Sequence, residues 1–403
     1  MFEALRERDY RRFWTTQFLS NIGSWMQAIA QGWLVYRLTD SPFLLGFVGF
    51  ASSIPAFFLM LPGGVVADHV DRRRVVSVSQ WAQALSALFL AVAIKTGQIS
   101  VWQIILASLV VGVAISFSAP AYQAMVVDLL DDRSRLPNAV AMNSLQFNLS
   151  RVIGPLLAGL TLSAWGSFWC FLFNALSFLP LIWALGRATK RQRPPEATAR
   201  LWARLAEGFA YVRNDRVIFL LLGIVAAASL FGYPYVTLMP MMARALYPHD
   251  DAHGLGLLMG GIGAGALVGS AVLSVNMPRR AMPVILVSVA ALGLALAGVA
   301  VVRAHIAVIA LLTICGAAMV VGVALCNTSI QQRIPDAMRG RVLSMYTFAF
   351  FAFLPFGNLF AGIIAEHGGL RPALLAMAGG LVVSVGAAAL GRARARGGRA
   401  HTG

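Results

Sequence analysis

Long apolar stretches, each bounded by short polar or charged segments, run through the whole chain. A helix needs about 20 predominantly apolar residues to cross the hydrocarbon core of a membrane. By this measure the pattern predicts twelve transmembrane helices, and the predicted fold class is an all-α integral membrane protein. The predicted spans are 13–37, 43–66, 75–95, 101–126, 138–164, 167–187, 217–243, 254–276, 281–302, 305–327, 342–364 and 371–390.

The composition supports this interpretation and disfavours a soluble protein. Of the 403 residues, 59% are hydrophobic and only 12% are charged, and the mean hydropathy is +0.74. A soluble domain carries about 25% charged residues, so this chain has too little polar surface to cover an apolar core. Cys170, Cys315 and Cys326 all fall in predicted spans without disulfide or metal-ligand spacing, and we expect them to be small core residues.

The distribution of basic residues predicts the topology. Lys and Arg concentrate in the N-terminal tail, in the loops after even-numbered spans and in the C-terminal tail. The positive-inside rule then places both termini in the cytoplasm. The net charge of +16 needs no nucleic-acid partner, because basic loops face the anionic lipid of the inner leaflet. The first apolar run lacks a small-residue cleavage site and is expected to remain as an uncleaved anchor.

The chain divides into two halves of repeated design. The longest polar segment, Gly186–Arg216, separates six predicted spans from six, and "GPLLAG" at Gly154–Gly159 is echoed by "GNLFAG" at Gly357–Gly362. We therefore predict an N-terminal six-helix bundle at 1–187, a cytoplasmic linker at 188–216 and a C-terminal six-helix bundle at 217–403. This pseudo-symmetric layout is typical of secondary transporters, whose substrate site lies between the halves near mid-membrane.

The loop between the second and third spans carries a recognisable pattern. Gly64-x-x-x-Asp68-x-x-Asp71-Arg72-Arg73-Arg74 resembles the loop signature of the major facilitator superfamily. The family usually has Gly where this chain has Asp71, and a basic residue where it has His69. "NIGSWMQAIAQGWLVYRLTDSP" and "NLSRVIGPLLAG" resemble the branch of that superfamily that includes bacterial enterobactin exporters and macrolide efflux proteins.

This resemblance implies an exporter that works by alternating access. The expected cargo is a small amphipathic or anionic molecule of the drug or siderophore class, and the expected location is the bacterial inner membrane. Proton coupling and a functional monomer are also expected, with lipid and a small-molecule substrate as partners. No cofactor or metal is expected, and no catalytic constellation suggests an enzyme. A lysophospholipid flippase on the same fold stays open as an alternative, whereas a channel or a membrane sensor is disfavoured.

The resemblance also implies a conformational latch on the cytoplasmic side. Asp68 would sit against the start of the eleventh helix, because a helix N-terminus favours a carboxylate, and Arg72 would pair with Asp128. Asp68 and Arg72 would also form an i,i+4 pair if the second helix continued through the loop. The alternative is that the arginines only anchor the topology. The predicted latch residues are Gly64, Asp68, Asp71, Arg72, Asp128, Arg339 and Arg341.

Few ionisable residues fall inside the predicted spans. All carboxylates lie at span ends or in loops, so Asp128, Asp68 and Asp40 are the candidates for proton coupling. Arg151 is the exception, because it lies midway along the fifth span, where ionisable residues are costly and usually functional. Arg151 is expected to attract an anionic group, although a packing role stays open. The candidate cavity residues are Asn21, Ser24, Gln27, Gln31, Asn143 and Arg151.

The fifth span also contains Gly154-Pro155-x-x-x-Gly159, which resembles the antiporter signature of the family's fifth helix. Pro155 removes one helix hydrogen bond. Glycines allow a neighbouring helix to approach closely. An ordinary packing kink is the alternative explanation.

Overall fold

A computed structural model of the protein describes residues 3–187, 209–335 and 338–400. Residues 188–208 of the predicted linker therefore lie outside the described part. Every regular element in the described ranges is helical. The N-terminal elements are a 3₁₀ turn at Glu3–Arg6, α1 (Arg8–Thr39), α2 (Pro42–His69), α3 (Arg72–Lys95), α4 (Val101–Asp128), a 3₁₀ turn at Arg133–Arg135, α5 (Leu136–Trp165) and α6 (Ser167–Arg187).

The seventh predicted span is a broken helix. It passes from α7 (Arg216–Ala227) through a π-helical turn and a 3₁₀ turn into a short helix that begins at Met239. Pro234 has no N–H to continue the α-helical ladder, which accounts for the change at that point. The remaining elements are the π turn Ala228–Gly232, the 3₁₀ turn Pro234–Leu238, α8 (Met239–Leu246), α9 (Asp251–Val275), α10 (Ala281–Val301), α11 (His305–Arg333), α12 (Arg339–Gly368) and α13 (Leu370–Ala400).

Within the described residues, 10 helical segments are long and apolar enough to cross a membrane. They correspond to the predicted spans two to four and six to twelve. The helices α1 and α5 exist with the expected lengths, but they are too polar to meet the same measure. The first and fifth spans therefore stay predictions.

Contacts divide the chain into two compact units. The first comprises Met1–Thr198 and Pro240–Gly260, and the second comprises Ala199–Met239 and Gly261–Gly403. In the first unit, α1 packs against α5 and α6, α2 packs against α4, and α3 packs against α4 and α6. In the second unit, α10 packs against α11 and α13, while α12 packs against α7, α13 and the two irregular turns. The domain boundaries predicted from the internal repeat stay a prediction.

The ends of several helices of the first unit meet in one hydrophobic cluster. Tyr10 and Phe13 of α1 pack there with Val76 of α3, Met125 of α4 and Leu181 of α6. All five side chains are almost completely buried. This cluster positions the charged loops that surround it. The three cysteines are also buried, as expected for small core residues.

The loop between α2 and α3 corrects one prediction. The helix α2 ends at His69, Val70 is extended, and a new helix starts at Arg72. Asp68 and Arg72 therefore lie on two different helices, and the backbone lacks the continuous helix that the predicted i,i+4 pair requires. Asp71 is the reason for the break, because its side chain accepts a hydrogen bond of 3.0 Å from the backbone N–H of Arg73 and caps α3. An aspartate N-cap favours a new helix over a continued one.

Candidate functional site

The charged loop is held by an ion pair between α3 and α4. Arg72 Nη1 lies 2.8 Å from Asp128 Oδ2, and the two side chains are 27% and 16% exposed. This is the pairing that the family resemblance implied. Each charge lies at the end of its helix that the helix dipole disfavours, since Arg72 begins α3 and Asp128 ends α4. The pair therefore offsets two unfavourable placements.

Of the other predicted latch residues, the structure describes the surroundings of only Gly64 and Asp71. The side chains of Asp68, Arg339 and Arg341 lie outside the described part. Gly64 lies in α2, and a methyl group added there would meet nothing within 4 Å. Asp71 acts as the cap of α3, which gives a local reason for the aspartate at a position where the family usually has glycine.

Two further ion pairs were missed by the sequence analysis. Glu7, at the N-cap position of α1, lies 2.8 Å from Arg135, which immediately precedes α5. In the second unit Asp215, at the N-cap position of α7, lies 2.7 Å from Arg333, the last residue of α11. The two pairs occupy equivalent places in the two units. In each, an acidic residue just before the unit's first long helix, α1 or α7, bonds an arginine at or after the end of the fourth helix of that half, α4 or α11. The sequence analysis assigns Glu7, Arg135, Asp215 and Arg333 no role beyond the charge of the loops.

In the second of these pairs, the surroundings of Asp215 shift the pKa of its carboxyl. Burial raises the pKa of its carboxyl, but bonds from Arg333 and from the backbone N–H groups of Ile218 and Val217 outweigh burial, so the pKa lies below its ordinary value. The carboxylate therefore stays charged at neutral pH, and it holds the end of α11 to the start of α7.

The helices α1 and α5 are joined by a ladder of polar contacts. The Tyr10 hydroxyl lies 2.9 Å from both the Ala139 carbonyl and Asn143 Oδ1. One turn further on, the Trp14 indole N–H donates to the Met142 carbonyl at 3.0 Å. Asn143 is therefore engaged with α1, and this contact favours a packing role over the predicted cavity role.

The candidate residues of α1 do not share one environment. Gln27 is buried and accepts a 2.7 Å hydrogen bond from Asn174 of α6. Gln31 donates to Ser108 of α4 at 3.0 Å. Asn21 and Ser24 are half-buried, and Asn21 accepts a hydrogen bond from Gln17 of its own helix. Three of the candidate cavity residues of α1 thus contact three different helices, α6, α4 and α1 itself.

Arg151 lies on a different side of α5 from Asn143. At about 100° per residue, Arg151 is roughly 80° from Asn143 and within about 60° of Ser144 and Asn148. Ser144 is exposed, whereas Asn148 and Arg151 are half-buried. The Arg151 guanidinium lies over the ring of Trp25 on α1, 5.9 Å from its centroid. The structure therefore separates Arg151 from the packed ladder and places it beside an aromatic ring.

The two glycines of the helix-five motif contact different helices. A methyl group at Gly154 would lie 2.5 Å from Trp25 Cβ and 2.9 Å from the Ile22 carbonyl oxygen, so this glycine lets α5 cross α1 closely. A methyl group at Gly159 would lie 2.5 Å from the Cα atom of Gly256 on α9. Pro155 is buried between them inside a helix that runs on to Trp165.

The segment Pro240–Gly260, which we call the docking segment, is bonded to the far end of α1 and α5. Arg244 Nη1 lies 2.9 Å from Asp40 Oδ1, just after α1. Ser163 of α5 donates to Asp250 at 3.2 Å. Together with the crossing at Gly159, these contacts explain why the segment belongs to the first unit.

Comparison with known proteins identifies the family. The model of a family described as transmembrane secretion effector matches residues 1–400. The chain belongs to this family. The resemblance to the exporter branch of the major facilitator superfamily is thereby confirmed, as is the prediction of a transport protein that is not an enzyme.

Several relatives of this family member are named transporters. The chain is 24% identical to the staphyloferrin A transporter of Staphylococcus aureus, with 89% of this chain and 90% of that protein covered. It is 28% identical to the multidrug efflux pump Tap of Mycobacterium tuberculosis, with coverages of 88% and 87%. It is 25% identical to the enterobactin exporter EntS of Salmonella typhimurium, with coverages of 84% and 81%.

The fold of this chain is shared with solved structures of transporters. The nucleoside transporter NupG matches with a TM-score of 0.70 at 16% identity, covering 95% of this chain and 99% of that one. A bacterial homologue of the human lysosomal transporter Spinster matches with a TM-score of 0.74 at 14% identity, covering 96% and 97%. At these identities the likeness concerns the fold alone.

Proposed function

We propose that the protein is a secondary active transporter that exports small amphipathic or anionic molecules of the drug or siderophore class across the bacterial inner membrane. It works by alternating access of two six-helix bundles, twelve spans in all, with both termini in the cytoplasm and with protons as the coupling ion. The functional unit is a monomer. The relatives named as a staphyloferrin A transporter, a multidrug efflux pump and an enterobactin exporter support this proposal, since each is covered over most of its length.

The observation that carries the proposal is the position of Arg151. A guanidinium in the middle of a predicted span is costly unless it meets partners or water. Arg151 is half-buried on a side of α5 that it shares with Ser144 and Asn148, away from the packed ladder to α1. A fixed positive charge on such a polar face attracts an anionic group of the cargo.

The latch proposal rests on the pair of Arg72 and Asp128, with Asp68 as its third member. The pair ties the start of α3 to the end of α4, and the carboxylate of Asp68 would complete the latch at the N-terminus of the helix that begins at Arg339. A cluster that forms in one conformer and breaks in the other biases alternating access.

The docking segment would act as the counterpart of the latch, at the opposite end of α1. Its bonds from Arg244 to Asp40 and from Ser163 to Asp250 lie at the end of the bundle remote from Glu7 and Arg135. With the termini in the cytoplasm, this end faces outward. Release of the docking segment would then accompany opening to the outside, while the latch closes the inside.

The test is transport by purified protein in proteoliposomes of defined lipid. Flux of siderophores, drugs and lysophospholipids is measured with and without a pH gradient, for the wild type, Arg151→Ala and Arg151→Lys. We expect gradient-dependent, saturable flux of anionic cargo. Arg151→Ala should abolish this flux and Arg151→Lys should restore part of it, because the planar guanidinium binds an anion at two points whereas the lysine ammonium binds it at one. Arg11→Ala, which removes an exposed arginine of the same unit, is the control.

The outcomes separate the candidate functions. If lysophospholipid is the only compound that is transported, the protein is a flippase and the exporter proposal is wrong. Unchanged flux per folded Arg151→Ala molecule would return Arg151 to a packing role. Flux that does not depend on the pH gradient would contradict proton coupling but not export.

A further inference from the structure

We infer that Trp25, Phe147 and Arg151 form a recognition site for planar aromatic anions, and that this site sets the substrate class of the transporter. The inference rests on the proposed function, because it assigns a cargo to the surface on which that proposal depends. The geometry that carries it is the contact of one guanidinium and two aromatic rings across α1 and α5.

The exposed surface of α5 has two sectors. Leu145, Leu156 and Leu160 are 37%, 40% and 58% exposed and lie within about 60° of one another around the helix. This apolar sector suits contact with lipid. Ser144, Phe147, Asn148 and Arg151 lie on another sector, centred roughly 140° away, and Val140, which is 54% exposed, lies among them. Polar residues in a membrane helix face a watery cavity or protein instead of lipid, so the second sector is the side on which a cargo is met.

The three side chains of the site touch in sequence. The rings of Trp25 and Phe147 meet edge to face, with centroids 6.0 Å apart and planes at 68°. The Arg151 guanidinium lies on the same Trp25 ring, 5.9 Å from its centroid. Phe147 is 51% exposed, while Trp25 and Arg151 are half-buried. The site is therefore open on the Phe147 side and supported on the Trp25 side.

The close crossing at Gly154 positions Trp25. A methyl group at Gly154 would lie 2.5 Å from Trp25 Cβ, so the indole base is held against the α5 backbone one turn beyond Arg151. The Trp25 ring then projects toward Phe147 and Arg151, which are four residues apart on adjacent turns. This arrangement needs the glycine of the helix-five motif, which gives the motif a role in recognition as well as in packing.

The chemistry of the three groups selects the ligand. A guanidinium binds a carboxylate at two points. Aromatic faces and edges bind a second ring in offset-stacked or edge-to-face geometry. Cations are disfavoured, because α5 contains no carboxylate and the only one in α1 is Asp9, close to its first residue. A ligand that combines a flat ring with a negative charge satisfies all three groups at once.

Binding to purified protein in detergent tests the site without any need for transport. The probes are 1-naphthoate, its neutral isostere 1-naphthamide, the aliphatic anion cyclohexanecarboxylate and the cation (1-naphthyl)methylammonium, measured by calorimetry. We expect 1-naphthoate to bind at least about tenfold more tightly than each of the others, a difference of about 1.4 kcal/mol.

The variants separate charge from ring recognition. Arg151→Ala should remove the preference for naphthoate over naphthamide, and Arg151→Lys should restore part of it. Trp25→Leu and Phe147→Leu should lower the preference for naphthoate over cyclohexanecarboxylate while keeping the preference for an anion. Trp102→Leu, which removes a tryptophan that is 69% exposed on α4, is the matched control. Thermal unfolding of each variant shows that it is folded.

Failure of the inference and failure of the proposed function are distinguishable. Equal binding of naphthoate and naphthamide, no binding of naphthoate at millimolar concentration, or an Arg151→Ala variant that keeps the preference would each overturn the site. If naphthoate binds as expected but no compound is carried by proteoliposomes, the site stands and the exporter does not. If flux occurs without preference for aromatic anions, the exporter stands and the inference fails.

Discussion

The indole N–H of Trp33 donates a 3.0 Å hydrogen bond to the carboxylate of Asp251. Trp33 is only 7% exposed, and the guanidinium of Arg37 covers its ring at 4.8 Å from the centroid. A hydrogen bond to a charged group contributes about 1.5–3 kcal/mol. This bond therefore ties the docking segment to α1 more firmly than the exposed ion pair of Arg244 and Asp40 does.

We expect Trp33→Phe to loosen the docking segment. The change keeps an aromatic ring but removes the donor, so Asp251 loses its partner on α1. The measurement is the rate of thiol labelling at Ala252→Cys, a position that is 5% exposed, in a background whose native cysteines are replaced by alanine. Labelling should become several-fold faster. Trp165→Phe, at a tryptophan that is 65% exposed, is the control, and equal labelling of the two variants would contradict the role of this bond.

The pair of Arg72 and Asp128 predicts an unusual result for a charge swap. Arg72→Asp and Asp128→Arg should each lower the melting temperature, because each places two like charges side by side. The double variant should be at least as stable as the wild type, since it restores the pair and moves each charge to the helix end that the dipole favours, worth about 0.3–1 kcal/mol per site. Thermal unfolding in detergent measures this. A double variant less stable than both single variants would show that the pair does not act as a unit.

Asp68→Asn tests the latch itself. The change keeps the size of the side chain but removes the charge that a helix N-terminus favours, a loss of about 0.3–2 kcal/mol. We expect transport to fall several-fold at matched abundance, with membrane insertion intact. Asp9→Asn, at another acid near the beginning of a helix, is the control. Wild-type transport by Asp68→Asn would remove Asp68 from the latch.

The crossing of α5 and α9 predicts a steric effect at Gly159. Gly159→Ala should destabilise the protein by about 1–3 kcal/mol, the usual cost of overpacking, because the opposing atoms belong to the backbone of Gly256. Gly223→Ala on α7 is the matched control, since its methyl group would meet nothing within 4 Å and alanine is the better helix former. If both variants unfold at the same temperature, the close crossing does not limit stability.

Asp215 and Arg333 predict a dependence of stability on pH. The pKa of the Asp215 carboxyl is lowered in the folded protein despite burial, so the stability it contributes is present above the unfolded value of about 3.9 and is lost as the pH falls through the lower folded value. Arg333→Gln should therefore be less stable than the wild type at pH 7, and the difference should shrink below about pH 4. Melting temperatures across this range measure it, with the exposed Arg213 changed to Gln as the control. A difference that is constant with pH would exclude the carboxylate as its source.

Much of the fold could be predicted from local sequence. Apolar runs of sufficient length specify membrane helices, because only a helix satisfies its own backbone in lipid. The charged loop and the fifth-helix motif pointed to the superfamily, and Arg151 stood out because no other charged residue lies near the middle of a predicted span. The N-cap role of Asp71 could also have been predicted, because an aspartate just before a helix is a common cap. The sequence analysis noted only that the family usually has glycine at this position.

The sequence by itself therefore determined most of the helices, the membrane environment and the transporter family, and it singled out Arg151 as a candidate. Tertiary structure decided which neighbour each helix face meets. Asn143 and Arg151 are about 80° apart on α5 and both meet α1, but Asn143 bonds the Tyr10 hydroxyl and Arg151 lies over the Trp25 ring. Gln27, Glu7 and Asp251 find partners far away in sequence. Helical periodicity defines a face of one helix, whereas the partner of that face depends on the packing of the whole unit.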